Sequence, residues 1–486
     1  MNELKKKYGL FTAICMVVGI VIGSGVFFKA QAILEKTGGN MLQGILAWIV
    51  GGIIMIFCIL AFSVLAQKYE KVNGIVDYAE MTIGSKYGYY IGWFMTVLYY
   101  PTMTSVLAWL SARYLLTFIS TANPDFGMYI GADAGGTVFG PETMTLACFF
   151  LVLSFAINAL SPKIAGKVQV STTVIKLIPL LLMAVVGTIY GFTHPVTEAA
   201  TETVLQFNFS QPVESWSLLF PAVVATAFAY EGWIIATSIN AELKNSKRNL
   251  PIALIVGGII IIAVYIFYFI GVAGGADVDS LIKTGANVAF LNVFGPTLGN
   301  ILNLFVAISC MGTLNGLMLG CTRGLYSIAV RGYGPKSKVF CQVDKETNMP
   351  VNSAVVAALL TAFWLVYFYG ANLFADKPWF GLFSFDSSEL PIVTTYAFYI
   401  PIFISFMIKE KGLSPVKRFL LPSLAIIGSA AMVGMAIYAH GISPYLAAKS
   451  AEEPYFSCPV LFYLIVFAVI MIIGKFVMNG KKTAKK

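Results

Sequence analysis

Charge is scarce in this chain, and histidine is scarcer. Only 11% of the 486 residues are Asp, Glu, Lys or Arg, against about a quarter in an ordinary soluble domain. A soluble chain of this length needs far more polar surface to cover itself, so soluble enzymes, nucleic-acid binders and disordered scaffolds are excluded. His194 and His440 are the two histidines, and neither has the spacing of a ligand or a triad partner. Seven cysteines include Cys15, Cys58, Cys148 and Cys310 inside apolar runs, where a thiol behaves as a small hydrophobe. No close-spaced Cys/His set offers a metal site, and no cofactor is expected. A membrane-embedded enzyme would need a nucleophile–base set or metal ligands. A channel would need a continuous polar lining or a charged ring. Neither pattern is present.

Apolar sequence is what the chain has. Apolar residues make up 58%, and the mean hydropathy is +0.81. The lipid bilayer is the natural solvent. A spanning helix needs roughly 20 apolar residues. Twelve such stretches are read at 9–34, 41–66, 88–119, 143–160, 168–191, 216–240, 251–274, 296–330, 350–370, 388–408, 418–440 and 456–478. Lys5, Lys6 and Lys7 precede the first, which lacks a small-residue cleavage site and reads as a retained anchor.

The net charge of +9 follows from where the cations lie. With the first tail placed in the cytoplasm and the spans alternating, 23 of the 32 Lys and Arg fall in inner segments. Five fall in outer ones: Lys29, Lys36, Lys283, Lys377 and Lys449. Arg113, Lys176, Arg323 and Lys475 lie inside or at the ends of spans. Segments 120–142 and 192–215 contain no Lys or Arg. This asymmetry places both termini in the cytoplasm and accounts for the basic balance without nucleic acid.

Two spans are interrupted. The first carries Gly23-Ser24-Gly25 at mid-membrane, and each glycine costs a helix roughly a kcal/mol. The sixth carries Phe228-Ala229-Tyr230-Glu231-Gly232-Trp233. A glutamate at membrane depth costs about 2.5–3.5 kcal/mol on insertion scales. Backbone groups freed by such breaks cannot face lipid and must line a cavity or meet a ligand. Spans one and six correspond if the first ten form two halves of five, the second inverted relative to the first. A half-helix starting after Gly23-Ser24-Gly25 presents N–H groups to a carboxylate. Carbonyls around Phe228-Ala229-Tyr230 suit an ammonium group. Taken alone, small-residue clusters in membrane helices also serve as packing contacts.

These residues resemble those of the amino acid–polyamine–organocation superfamily of transporters. The likeness rests on Ile22-Gly23-Ser24-Gly25-Val26-Phe27, on the 228–233 string, and on Glu242-Leu243-Lys244-Asn245-Ser246-Lys247-Arg248-Asn249-Leu250-Pro251. Arg331-Gly332-Tyr333-Gly334-Pro335 and Asn348-Met349-Pro350 add to it. The resemblance is nearest to the L-type amino-acid transporter branch and to bacterial serine/threonine and alanine-serine-cysteine exchangers. It implies an all-α, twelve-helix membrane protein with a LeuT-type five-plus-five inverted repeat. The repeats would run over 9–191 and 192–410, followed by two helices in 411–478, with cytoplasmic tails at 1–8 and 479–486. It implies alternating access at the cell membrane. The substrate carboxylate would meet Gly23, Ser24 and Gly25, and its amino group would meet carbonyls near Ile20 and Phe228, with Phe228 as an aromatic lid. Tyr230 is a further candidate. Segment 120–142 has no cysteine, so no disulfide-linked heavy chain is expected as a partner.

Lys176, mid-way through the fifth span, resembles a lysine that substitutes for a bound sodium ion in related transporters. It reads as a proton carrier, as a fixed charged strut, or as a side chain reaching interfacial water. Glu231 reads as an acceptor for the substrate ammonium, as a partner of a scaffold group, or as a helix cap. Tyr100, Pro101, Thr104, Asn315 and Tyr396 are the candidates for selectivity. They are uncharged, which favours small or medium neutral amino acids. Cationic amino acids or polyamines are the alternative that Glu231 would favour, and an amino-acid sensor is the alternative from another class.

Overall fold

The structure is a computed structural model that describes residues 9–69, 74–133, 136–236, 243–347, 349–373, 378–450 and 458–478. The expected tails 1–8 and 479–486, together with Glu242, Asn348 and Lys377, lie outside the described residues, as does the side chain of Ile20.

Helices dominate, and the one extended pairing among the described residues is a single bridge between Pro195 and Thr203. Among the described residues, nine helices are long and apolar enough to cross a membrane. They are α3 Met41–Lys68, α5 Ser85–Ala122, α6 Pro141–Leu160, α11 Ser246–Gly275, α12 Ala286–Ala329, α13 Val351–Leu373, α14 Leu390–Lys409, α15 Val416–Ser450 and α16 Pro459–Val477. Between them in the chain come α1 Leu10–Val21, α2 Gly25–Lys36, α4 Ile75–Thr82, α7 Pro162–Ile175, α8 Leu177–Thr193, α9 Leu219–Tyr230 and α10 Trp233–Ala236. The chain is a multi-pass membrane protein. Its outward apolar side chains, such as Phe149, Phe192, Leu359 and Phe476, are more than half exposed, which is tolerable only against lipid.

At the centre, α1 packs on α11, α9 packs between α2 and α3, and α12 packs along α5 and α7. Glycine lets two of these helices touch backbone to backbone. A Cβ on Gly271 of α11 would stand 2.0 Å from the carbonyl oxygen of Met183 in α8, so this crossing excludes any larger residue.

Several elements differ from the sequence expectation. The fifth span is two helices turning at Lys176. Pro179 has no N–H for the carbonyl of Ile175, and the ladder fails one turn earlier. The eighth span starts at Ala286 rather than 296 and kinks at Gly295, with φ 75° and ψ 173°, just before Pro296. Lys29, counted among outer cations, lies within α2 and is buried.

Candidate functional site

Helix α1 ends at Val21 and α2 begins at Gly25, with Ser24 at its N-cap. Opposite them, α9 ends at Tyr230, and Glu231 and Gly232 separate it from α10. Gly232 has φ 105°, a conformation that only glycine adopts without strain. The two interruptions face each other closely. A Cβ on Gly25 would lie 2.6 Å from the Cα of Ala229.

Helix ends leave carbonyls without partners, and neighbouring side chains take them up here. The Tyr265 hydroxyl of α11 lies 2.9 Å from the Ala229 carbonyl oxygen and 3.2 Å from that of Val21, so one side chain ties both broken ends. The Lys176 ammonium donates to the Gly19 carbonyl oxygen. That places a cation at the negative end of the α1 dipole. The Tyr230 hydroxyl donates to the Trp48 carbonyl oxygen at 2.8 Å, which turns it away toward α3.

A cavity of about 250 Å³ lies between these ends. Its walls include Val21, Gly23, Ser24, Gly25, Lys176, Phe228, Ala229, Glu231 and Gly232. Tyr99, Met103 and Leu107 of α5 and Thr313, Gly316, Leu317 and Leu319 of α12 complete it. Gly23, Ser24 and Gly25, at the positive end of the α2 dipole, line it together with Phe228 and Ala229, near the carbonyl end of α9. Tyr99 donates to Glu231 Oε1 at 2.5 Å, while Glu231 Oε2 has no hydrogen-bonded side-chain partner among the described residues. Glu231 is thus held by a scaffold hydroxyl at the C-cap of α9 and still borders the cavity.

The selectivity candidates sit elsewhere in this conformation. Tyr100 packs on Gly320 of α12. The Thr104 hydroxyl donates to the Tyr100 carbonyl at 2.7 Å and lies 3.1 Å from the Cys321 sulfur. Asn315 accepts from Asn158 at 2.9 Å and donates to the Ala165 carbonyl at 3.0 Å, joining α12 to α6 and α7. Tyr396 is buried edge-on against Tyr399, and Pro101 is buried in α5. The sequence reading missed Tyr99. Residues Met95–Tyr99 form a π-helical turn, whose extra residue rotates the face of everything after it. Nothing in Tyr99-Tyr100-Pro101 signals which tyrosine turns inward.

A second charged cluster lies at the far end of α2. Lys29 Nζ lies 2.6 Å from Glu389 Oε1, with both side chains almost fully buried. His440 Nε2 lies 3.0 Å from Glu389 Oε2, and Lys36 Nζ lies 3.8 Å from the same oxygen. Between this cluster and the central cavity, Phe28 meets Phe228 edge-to-face at 6.1 Å. The Lys29 ammonium stands over both rings at 5.1 and 5.4 Å. Among the described residues, no group of three or more His, Cys, Asp or Glu is placed to hold a metal ion.

A family model described as an amino acid permease matches residues 8–485. The serine/threonine exchanger SteT of Bacillus subtilis is 29% identical over 443 residues, covering 89% of this chain and 91% of the exchanger. The large neutral amino acids transporter small subunit 2 of Mus musculus is 28% identical over 350 residues. The Asc-type amino acid transporter 1 of Mus musculus is 26% identical over 351 residues. Each of these two alignments covers 71% of this chain and 62% of the animal transporter.

Proposed function

The chain belongs to the amino acid permease family, a family of transporters and not of enzymes, and from that premise we propose that it carries small or medium neutral L-amino acids across the cell membrane by alternating access. One observation carries the reading. Two broken helices set opposite dipole ends on either side of a cavity of about 250 Å³. A zwitterion answers both ends at once. Its carboxylate takes the N–H groups at Gly23, Ser24 and Gly25, and its ammonium takes the carbonyl end near Ile20, Phe228 and Ala229. Phe228 then closes the cavity on the side of Phe28. The dipoles do the binding, so neither partner needs a full protein charge.

The same reading gives the chain twelve spans in a five-plus-five inverted repeat with two added helices. Its termini are cytoplasmic, and the end of α2 is extracellular. Lys176 bridges α7–α8 to the end of α1, where a bound cation would otherwise neutralise carbonyl oxygens, and this supports transport without sodium. Glu231 supports a second reading, in which cationic amino acids or polyamines are carried, because this acid lines the cavity.

Purified protein in liposomes tests both. Labelled serine, alanine, leucine, lysine and putrescine are offered outside, with and without internal amino acids, a pH gradient and sodium. Uptake of the neutral amino acids is expected without sodium. A requirement for internal substrate identifies exchange, and acceleration by external acid identifies proton coupling. Uptake confined to lysine and putrescine replaces the first reading with the second, and no uptake of any of them refutes both.

A further inference from the structure

Beyond the Phe28–Phe228 contact lies a second cavity, of about 300 Å³. Arg113 of α5 lines it and is 8% exposed. Its guanidinium stands 5.7 Å from the Trp109 ring and 5.3 Å from the Phe139 ring. Among the described residues it makes no hydrogen bond and no ion pair. Its nitrogens are not sealed in the core but reach the cavity, where a ligand or water can take up their unused donors. Ring faces hold the cation in place but accept few of its N–H groups. Its planar fork matches a carboxylate.

The rest of the wall narrows the ligand. Lys29, Lys36 and Arg113 face Glu35, Asp386 and Glu389, three charges of each sign. Lys29 is taken by Glu389. Asp386 spends Oδ1 on the Ser388 and Glu389 N–H groups and the Ser388 hydroxyl, and Glu35 is exposed. The wall therefore has a cation to offer a carboxylate and acids to offer an ammonium. The wall carries no net charge, which suits a ligand that carries none, whereas a dicarboxylate would leave two negative charges in excess.

We propose that this cavity is a second binding position for a zwitterionic α-amino acid, in which Arg113 holds the carboxylate and the Glu35 and Asp386 side receives the ammonium. Trp109, Phe28 and Phe139 supply apolar surface for the side chain. The position lies directly outside the aromatic contact that closes the central cavity, so a molecule held here is next in line to enter. The identity of the ligand rests on the transport reading above.

Binding stoichiometry tests it on the full chain in lipid nanodiscs. Labelled L-alanine and L-leucine are dialysed to saturation against wild type, Arg113→Gln, Arg113→Lys, Gly25→Val and the Gly25→Val/Arg113→Gln pair. Wild type is expected to hold about two molecules per chain and Arg113→Gln about one. Arg113→Lys, which keeps the charge and loses the fork, is expected to weaken one of the two by about tenfold or more. Gly25→Val is expected to hold about one, and the pair none. The methyl ester of leucine, lacking the carboxylate, is expected not to displace the molecule left in Gly25→Val. Monodisperse elution of each variant shows that it has folded. If Gly25→Val fails to fold, the drop from two to one between wild type and Arg113→Gln still decides. One molecule per chain in both wild type and Arg113→Gln overturns the outer position and leaves the transport reading standing. No binding to wild type at all overturns the transport reading and this inference with it. Displacement by succinate in preference to alanine overturns the zwitterion assignment.

Discussion

The two cavities are neighbours separated by a pair of phenylalanine rings, yet they are polar for different reasons. The central one takes its polarity mainly from the backbone, at the ends of α1, α2 and α9, with Lys176 and Glu231 engaged at Gly19 and Tyr99. The outer one takes its polarity from side chains, three cations against three acids. Backbone dipoles are fixed and carry no hydration shell of full charge, so they can bind and release a zwitterion without large desolvation costs. Full charges attract over longer distances and hold elements together when buried. On the proposed reading, turnover would belong to the centre, and capture and closure to the outer end.

The largest effect that would break this comparison is expected at Gly25. Valine there would drive side-chain carbon into the Ala229 backbone, since even a Cβ would lie 2.6 Å from its Cα. Uptake should fall to background while the outer ion pairs remain, and near-normal uptake would remove the α2 N-terminus from the mechanism. Next comes Glu389→Gln, which leaves the buried Lys29 ammonium without its carboxylate. With side chains 3% and 1% exposed, the loss should be about 3–5 kcal/mol, read as a large drop in the midpoint of thermal unfolding in detergent. A shift of a degree or less would show that the cluster is solvated rather than buried.

Lys176→Ala should cut transport at least about tenfold, or about 1.4 kcal/mol in the transition state, with the folded fraction on size exclusion unchanged. Wild-type turnover would reduce Lys176 to a packing residue. Tyr99→Phe removes a single hydrogen bond to Glu231 and should cost about 1 kcal/mol, seen as a few-fold change in substrate affinity. The smallest effect is expected at the opposite end of the bundle. There Arg331 pairs with Asp77 and Glu80, whose side chains are 10% and 35% exposed. Glu80→Ala, which removes the more exposed of these two pairs, should cost about 1 kcal/mol or less, and added salt should shrink the difference between variant and wild type. A loss comparable to that of Glu389→Gln would mean that both ends are equally dry.

The parts of the candidate site that rest on local chemistry were legible in the sequence. Gly23, Ser24 and Gly25 are weak helix formers, and the chain leaves the helix at Ile22 and resumes at Gly25. Gly232 beside Glu231 marked the other interruption, although α9 runs intact through Phe228-Ala229-Tyr230 and breaks only after it. Lys176 stood out as a charge in an apolar run, and it lies against the α1 carbonyls. Residues chosen by helical face fared differently. The π turn precedes Tyr100 and Thr104, Asn315 is tied to Asn158 and Ala165, and Tyr396 packs on Tyr399, so in this conformation all four make helix contacts. Lys29 read as an outer cation because its partner, Glu389, is 360 residues away in the chain.

Composition and spacing alone determined that this chain lives in a bilayer and where its helices are weakest. Those properties are set within a few residues by hydrophobic transfer and backbone propensity. The identity of the cavity walls, the Lys29–Glu389–His440 cluster and the position of Arg113, without an ion pair among the described residues, were decided only by tertiary packing. Each depends on which helix faces which, and a rotation of a fraction of a turn, too small to leave a mark on residue periodicity, moves a side chain from a site into the core.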